Sequence, residues 1–261
     1  MSECLWCGSA TRIGNGPVGR SEWIRWRCNS CGAFGYVNAP SPDELSQVYY
    51  RAWQDSERKG TYAAGSTDEK IARSLLDAVG FLSLGCSCLD YGGGKGGLAK
   101  ALIEKGCEHL TVFEPFGHNP ELQSVDWISD LRDVEGKKFD WIFMVEVLEH
   151  LLSPQETLAE IRRHLSPGAK LVITTPNARG WRARIEGFNW REVQNPTHIN
   201  LFTARALKAC LMEAGYSDVK RVLRPVTYKA KGVKALALAM TQMVGVDGGL
   251  RFVATNASFS E

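Results

Sequence analysis

The chain has no hydrophobic run long enough to cross a bilayer. Its longest apolar stretch near the C-terminus, Val233 to Val246, is broken by Lys234, Thr241 and Gln242, and it falls short of the roughly 20 residues a spanning helix needs. No membrane association is therefore expected. The opening residues, MSECLWCGSA, lack a basic start followed by an apolar run. A secretory signal is not expected on that ground, and the cytoplasm is the expected compartment. Neither sign of charge dominates. Against 31 Lys and Arg stand 29 Asp and Glu, a net charge of +2, too mild by itself to argue for nucleic acid. Low-complexity tracts and internal repeats are absent. The 261 residues are 44% hydrophobic and 23% charged, which is ordinary for a folded chain of one or two domains.

What the chain does have is eight cysteines, unevenly spread. Cys4 and Cys7 form one C-x-x-C pair and Cys28 and Cys31 a second, each followed by glycine (Gly8, Gly32). A tight turn at each pair, with glycine beside the second thiol, is the knuckle pattern of a zinc ribbon. Four thiolates suit a closed tetrahedral structural Zn2+ site. Cys86, Cys88, Cys107 and Cys210 fall in expected strands or helices and read as small buried apolar residues.

The ribbon spans residues 1–38, with a strand-like alternation over Ser21 to Arg27 between its knuckles. So small a module builds little core, so the metal is expected to supply folding energy. Residues 39–80 hold a stiff Ala39-Pro40-Ser41-Pro42 linker and two helices, 43–58 and 67–80, with a loop over 59–66. From residue 81 to 261 short apolar runs alternate with helical segments. Strands are expected at 86–91, 109–114, 125–129, 139–145, 169–174, 219–223 and 250–255. Helices are expected at 96–105, 119–123, 154–165, 203–214 and 232–243. That alternation implies a mainly parallel sheet with helices on both faces, an α/β fold.

The most informative stretch is Leu89-Asp90-Tyr91-Gly92-Gly93-Gly94-Lys95-Gly96. It follows a strand and opens a helix, where glycine lets the chain turn sharply and a ligand approach the backbone. About 20 residues on, the second strand ends in Glu114, an acid placed to accept both hydroxyls of a ribose. A P-loop is excluded because no Gly-Lys-Ser/Thr closes the loop. A dinucleotide would put its pyrophosphate at the helix N-terminus, where Asp90 would repel it. The same carboxylate suits the ammonium group of S-adenosylmethionine (SAM), a nucleoside without phosphate.

These residues resemble the class I SAM-dependent methyltransferases over residues 85–177. Asp90 to Gly96 resembles the first motif, D-x-G-x-G-x-G. Glu114 resembles the ribose-binding acid, and Asp130-Leu131 the adenine-binding position after the third strand. Glu146-Val147-Leu148-Glu149-His150-Leu151 resembles the continuation of the fourth strand, and Thr174-Thr175-Pro176-Asn177 the end of the fifth. His198 to Thr203 and Ala214-Gly215-Tyr216 extend the likeness to about two-thirds of the chain. The departure is Gly117-His118-Asn119-Pro120, where the family often has a small helix. The resemblance implies a Rossmann-like fold, SAM held by Asp90, Gly92, Gly94, Gly96, Glu114, Asp130, Leu131 and Glu146, and methyl transfer. Bacterial sugar and natural-product methyltransferases of this kind carry a similar Cys4 module.

Methyl transfer needs alignment first, and a base only where the acceptor must lose a proton. The candidates are His150 and His198. Glu146, Glu149 and His150, with His198 downstream, also resemble the divalent-metal set of small-RNA 2′-O-methyltransferases and some quinone-biosynthesis enzymes. A Mg2+ there would lower the pKa of an attacking hydroxyl. A lid is expected near 178–200, where arginines and aromatics alternate from Arg179 to Arg191. They suit a phosphate- or sugar-bearing acceptor. The favoured reading is methylation of a small-molecule hydroxyl by a monomer or homodimer. The alternatives are an RNA methyltransferase, disfavoured by the modest charge, and an inactive binding protein, disfavoured by the intact loop.

Overall fold

The computed structural model describes residues 3–17, 23–59, 66–81, 85–117, 119, 121–226 and 232–257. The N-terminal strands are β1 (Thr11–Pro17), β2 (Ile24–Cys28) and β3 (Phe34–Tyr36), an antiparallel sheet in the order β1-β2-β3. Two helices follow, α1 (Pro42–Lys59) and α2 (Ser66–Val79). Ser41 starts α1 as a reciprocal cap: its N–H and hydroxyl both donate to Glu44 Oε2, at 2.8 and 2.9 Å, and its Oγ faces the Glu44 N–H at 3.3 Å. Pro42 fits the first helical position because it has no N–H to leave unpaired. Residues 60–65, most of the expected loop, lie outside the described residues.

The rest of the chain runs β4 (Ser87–Tyr91), α3 (Gly97–Glu104), β5 (His109–Phe113), β6 (Asp126–Ile128), β7 (Phe139–Val145), α4 (Pro154–Arg163) and β8 (Leu165–Pro176). It continues through α5 (Trp181–Glu186), α6 (Arg191–Gln194), α7 (Ala204–Glu213), β9 (Tyr216–Arg221), α8 (Gly232–Met243) and β10 (Gly249–Asn256). Seven strands form one sheet in the order β6-β5-β4-β7-β8-β10-β9, parallel from β6 to β8, with β10 antiparallel to both neighbours. Strand order reverses at β4, which opens a crevice at the carboxyl edge there. Among the described residues no helix is long and apolar enough to cross a membrane.

One expected element is absent. The helix over 119–123 is replaced by turns among the described residues there. Asn119 takes both jobs a helix would need from the backbone: its Oδ1 accepts from the Glu121 N–H at 3.0 Å, and its Nδ2 donates to the Lys95 carbonyl at 3.0 Å. Such side-chain bonds compete with a helix for the same groups. His118 and Pro120 lie outside the described residues.

The ribbon shares the core of the large sheet. Trp6 packs on Phe202 with ring centroids 4.9 Å apart, and Phe34 and Leu201 exchange both backbone hydrogen bonds at 3.0 Å. The firmest link is Arg25, a charged residue only 1% exposed. Its guanidinium donates to the carbonyls of Val193 (3.1 Å), Ile199 (3.3 Å) and Asn195 (3.0 Å). It lies 3.7 Å from the Tyr36 ring centroid, and the Tyr36 hydroxyl donates to the Pro196 carbonyl at 3.2 Å. Burial lowers the Arg25 pKa to about 10, so the group stays charged at neutrality. One strand of the ribbon thus fixes the loop 193–199.

Hydrogen bonds from a charged donor are worth about 1.5–3 kcal/mol each, and carbonyls left without a donor are costly. Arg25→Ala should therefore lower unfolding free energy by about 3 kcal/mol in urea titration and raise amide exchange across 193–199. A loss below about 1 kcal/mol with unchanged exchange would show that the loop is held by other means.

Candidate active site

The four N-terminal thiols meet as their spacing implies. Every Sγ of Cys4, Cys7, Cys28 and Cys31 lies within 4.8 Å of the others, with Cys4 to Cys31 at 3.6 Å and Cys7 to Cys28 at 3.5 Å. Zn–S bonds of about 2.3 Å in a tetrahedron put sulfurs roughly 3.8 Å apart, so the set could hold zinc. Gly8 and Gly32 have φ of 65° and 81°, the left-handed turn each knuckle requires. Burial pushes the Cys4 thiol up to about 11 and Cys31 higher still. A cation would have to displace those protons.

At the crevice, the turn after β4 is built on contacts that only glycine allows. A Cβ on Gly92 would lie 2.6 Å from Val147 Cγ2, and one on Gly96 2.5 Å from Leu122 Cδ1. The loop is tied to the end of β5: Glu114 accepts from the Gly94 N–H (2.9 Å) and the Phe116 N–H (3.1 Å). Asp90 is buried, and its Oδ2 has no hydrogen-bond partner. Burial, assisted by the Glu114 charge, pushes its pKa up to about 7. The loop borders a cavity of about 520 Å3 lined by Asp90, Gly92, Gly94, Glu146, Thr174 and Arg251 and by an apolar wall from α2 (Ile71, Ala72, Leu75). That volume suits a small-molecule ligand. Among the described residues no ribbon residue lines this cavity; the ribbon's Arg25 bonds the loop 193–199.

A second cavity of about 510 Å3 adjoins the first at Glu146 and is lined by Glu149, His150, Glu192, Asn195 and His198. Glu146 itself has φ of 56°, a strained conformation for a residue with a side chain. Its N–H donates to the Thr174 carbonyl at 3.0 Å, and the Thr174 hydroxyl donates to its Oε1 at 2.9 Å. The Thr175 hydroxyl donates to Glu149 Oε2 at 2.9 Å. Glu149 Oε1 is buried without a partner, 4.0 Å from His150 Nε2. Ligand atoms of Glu149, His150 and His198 all lie within 4.8 Å of one another. The His150 Nδ1–H donates to the Thr197 carbonyl at 2.9 Å, which leaves Nε2 with its lone pair. His198 Nδ1 stands 3.4 Å from Glu192 Oε2 without hydrogen-bond geometry. Burial lowers His150 to about 4 and, with the charges of His150 and Arg25, His198 to about 3. Both imidazoles are neutral at pH 7. Burial raises Glu146, and burial plus the Glu146 charge raises Glu149 well above the carboxylate range.

The structure thus gathers Asp90, Gly92, Gly94 and Glu146 on one cavity, and Glu146, Glu149, His150 and His198 on its neighbour. Gly96 caps α3. Gly96, Glu114, Asp130 and Leu131 lie outside the lining of both cavities. Asp130 caps the turn that begins at Leu131, accepting from the Arg132 N–H at 2.9 Å and its Nε at 2.8 Å. Three residues escaped the sequence reading. Glu192 is an acid inside an arginine-rich stretch, and Arg251 is a lone charge in the apolar run Leu250 to Ala254; both were visible signals. Arg25 looked like one more polar position in an alternating strand.

The ionisation of Asp90 gives a pH dependence. A carboxyl raised in the folded state stabilises the fold below the unfolded pKa, and that contribution is lost as pH rises towards 7. An ammonium ligand acts in the opposite sense because it binds the ionised form. If Asp90 meets the SAM ammonium group, SAM affinity measured by calorimetry should rise about tenfold between pH 6 and pH 8. Asp90→Asn should flatten the profile. A flat wild-type profile would remove Asp90 from that role.

Comparison with known proteins agrees with this geometry. A family model described as a methyltransferase domain matches residues 62–221, more than half of the chain. The tRNA U34 carboxymethyltransferase of Idiomarina loihiensis is 27% identical over 153 residues, covering 53% of this chain and 47% of that protein. The chain therefore spans about half the length of that curated relative. Among solved structures, the 1,6-didemethyltoxoflavin-N1-methyltransferase of Burkholderia thailandensis, bound to S-adenosylhomocysteine, superposes with a TM-score of 0.58. It is 18% identical and covers 88% of this chain and 97% of its own. Human N-acetylserotonin methyltransferase, in complex with SAM, gives a TM-score of 0.55 at 18% identity, covering 84% and 61%. At such identities the likeness is one of fold, and the family match carries the assignment. The chain belongs to the methyltransferase-domain family and shares the α/β fold of these solved methyltransferases.

Proposed function

We propose that the enzyme methylates a hydroxyl of a small-molecule acceptor, such as a sugar or natural-product intermediate, beside a divalent cation. The observation that carries this reading is Glu149 Oε1, a buried oxygen with no hydrogen-bond partner among the described residues, gathered with two neutral imidazoles. Buried acids are normally saturated with donors. An orphaned one among neutral nitrogen donors fits a cation, with Glu146, Glu149, His150 and His198 as the residues that would hold it. Two imidazoles beside two carboxylates suit Mn2+, Fe2+ or Zn2+ better than the oxygen-preferring Mg2+ expected from sequence.

SAM supplies the electrophilic methyl group, and a bound cation would lower the pKa of the acceptor hydroxyl. The chain aligns and desolvates. Asp90 would meet the amino-acid end of SAM, with the glycines at 92 and 94 leaving it room and Gly96 shaping the start of α3. Glu114 faces the ribose, and Asp130 and Leu131 flank the adenine. Glu146 stands where the two cavities join, so acceptor and cofactor meet there. His150 and His198 hold lone pairs rather than protons at neutral pH, as ligands or as a base. Alignment of this kind accounts for much of the acceleration in a displacement whose leaving group is already good.

Mn2+ binding to the full chain, followed by electron paramagnetic resonance, should weaken at least tenfold in Glu149→Gln and in His198→Ala. SAM affinity in the same variants should hold within about threefold. Equal Mn2+ affinity in wild type and variants would leave the histidines as bases only.

The Cys4, Cys7, Cys28, Cys31 set is read as a structural zinc site. Because the ribbon shares its core with the sheet, removing zinc should destabilise more than the ribbon. Cys28→Ser should lose the metal by mass spectrometry and lower Tm by several degrees, whereas an unchanged Tm would show that the ribbon folds without it.

An RNA acceptor is the second reading. It draws on the likeness to the Idiomarina loihiensis enzyme and on Arg12, Arg27 and Arg179, which lie close enough to depress the Arg27 pKa, burial being the larger cause. RNA affinity that falls steeply with salt would favour it.

A further inference from the structure

Arg251 sits near the middle of an apolar strand, 8% exposed, and lines the cavity beside the glycine loop. Its register places it in a row with Thr174 of β8 and Val145 of β7, one residue before Glu146. Its charge faces Asp247 and also opposes the burial that raises the Glu146 pKa, but its hydrogen bonds are only partly used. Nη2 donates to Asp247 Oδ2 at 2.9 Å, but Nε is buried without a partner, and so is Asp247 Oδ1. A structural Arg–Asp pair closed on itself would use the guanidinium fork in two parallel bonds. Here the pair is single, and Arg221 also draws on Asp247 while Arg251 repels it. Two guanidinium groups therefore share the Asp247 carboxylate, and of the three residues only Arg251 lines the cavity. Around them the lining is apolar: Ile71, Leu75, Leu98, Val226 and Leu250.

We propose that Arg251 binds a carboxylate of the acceptor, so that the substrate is a hydroxylated carboxylic acid with an apolar body. The inference rests on the methyltransferase reading above and names its substrate class. A ligand carboxylate would take the N–H groups that Asp247 leaves unused. SAM also has a carboxylate, but β4 and β10 are three strands apart in the sheet, about 14 Å between Asp90 and Arg251 across the strands. The ammonium and carboxylate of SAM share one carbon, so a cofactor whose ammonium meets Asp90 keeps its carboxylate at that end of the cavity. The row Val145, Thr174, Arg251 spans two strand spacings. The reacting hydroxyl, beside Glu146, is thus separated from the carboxylate by roughly 5–10 Å, a distance that an aromatic ring or short chain fills.

The test uses the full chain saturated with S-adenosylhomocysteine, with 4-hydroxybenzoate as probe and 4-hydroxybenzamide as its uncharged counterpart. Calorimetry should show the carboxylate binding at least tenfold tighter than the amide. In Arg251→Gln the preference should fall below twofold, while S-adenosylhomocysteine affinity stays within threefold. Arg251→Lys keeps the charge without the fork, so it should retain part of the preference; it serves as the test if the Gln variant does not fold. No preference in the wild type overturns the proposal, as does a preference that survives substitution. A tenfold loss of S-adenosylhomocysteine affinity in Arg251→Gln would assign the guanidinium to the cofactor instead and also overturn it. Failure of the wild type to bind S-adenosylhomocysteine would strike the cofactor reading itself, a different result.

Discussion

The site depends on a guanidinium bonded to three backbone carbonyls. Arg25 comes from the N-terminal sheet, yet its three hydrogen bonds end on Val193, Asn195 and Ile199, the loop that carries His198. Carbonyl oxygens hold only partial charge. A cation surrounded by them, with the Tyr36 ring below, keeps its charge at a desolvation cost that only good geometry offsets. The arrangement fixes the path of a segment with little regular structure of its own. It also joins the ribbon to the large sheet: β2 carries both Cys28 of the thiol set and Arg25, and Arg25 bonds the loop at the far wall of the site.

That wall faces acids in tension with one another. Glu146, Glu149 and Glu192 converge on one cavity, and burial and mutual repulsion raise the first two. The threonines after β7 limit the cost. Thr174 and Thr175 are adjacent in β8, so their hydroxyls point to opposite sides of the strand end, one to Glu146 and the other to Glu149. Each acid thereby keeps one oxygen satisfied, and Glu149 Oε1 has no hydrogen-bond partner among the described residues. Hydroxyl donors stabilise without cancelling the negative charge, so the cluster stays receptive to a cation in a way that salt bridges would not allow.

Local features of this architecture were legible in the sequence. C-x-x-C-Gly, the glycine turn and the strand periods each act over a few residues, and the backbone obeys them directly. The Cys set and the turn at Gly92 follow from such rules. The expected helix at 119–123 failed on the same scale, because Asn119 offered the backbone side-chain bonds that a periodicity argument ignores. What stayed hidden is long-range. Arg25 meets Val193 across 168 residues, and no spacing rule joins them. Arg251 is a charge in an apolar strand that the sequence reading passed over, and its row with Thr174 and Val145 exists only once β10 inserts between β8 and β9. Glu192 reaches the acids because α6 folds back over the carboxyl edge.

The two cavities are mechanically joined as well as adjacent. The chain leaves β7 through Glu146 with a positive φ, and the next residue, Val147, packs against Gly92 so closely that a Cβ there would lie 2.6 Å from its Cγ2. The turn that faces the cofactor and the turn that starts the acid cluster are thus in van der Waals contact. Glycine at 92 lets them approach, and the strain at Glu146 aims its carboxylate at the junction. Relaxing φ at 146 would rotate that carboxylate away and draw Val147 off the glycine turn. Packed interiors tolerate such shifts poorly, so the strained backbone persists because contacts on both sides hold it. Glycine turn and acid cluster are therefore one mechanical unit.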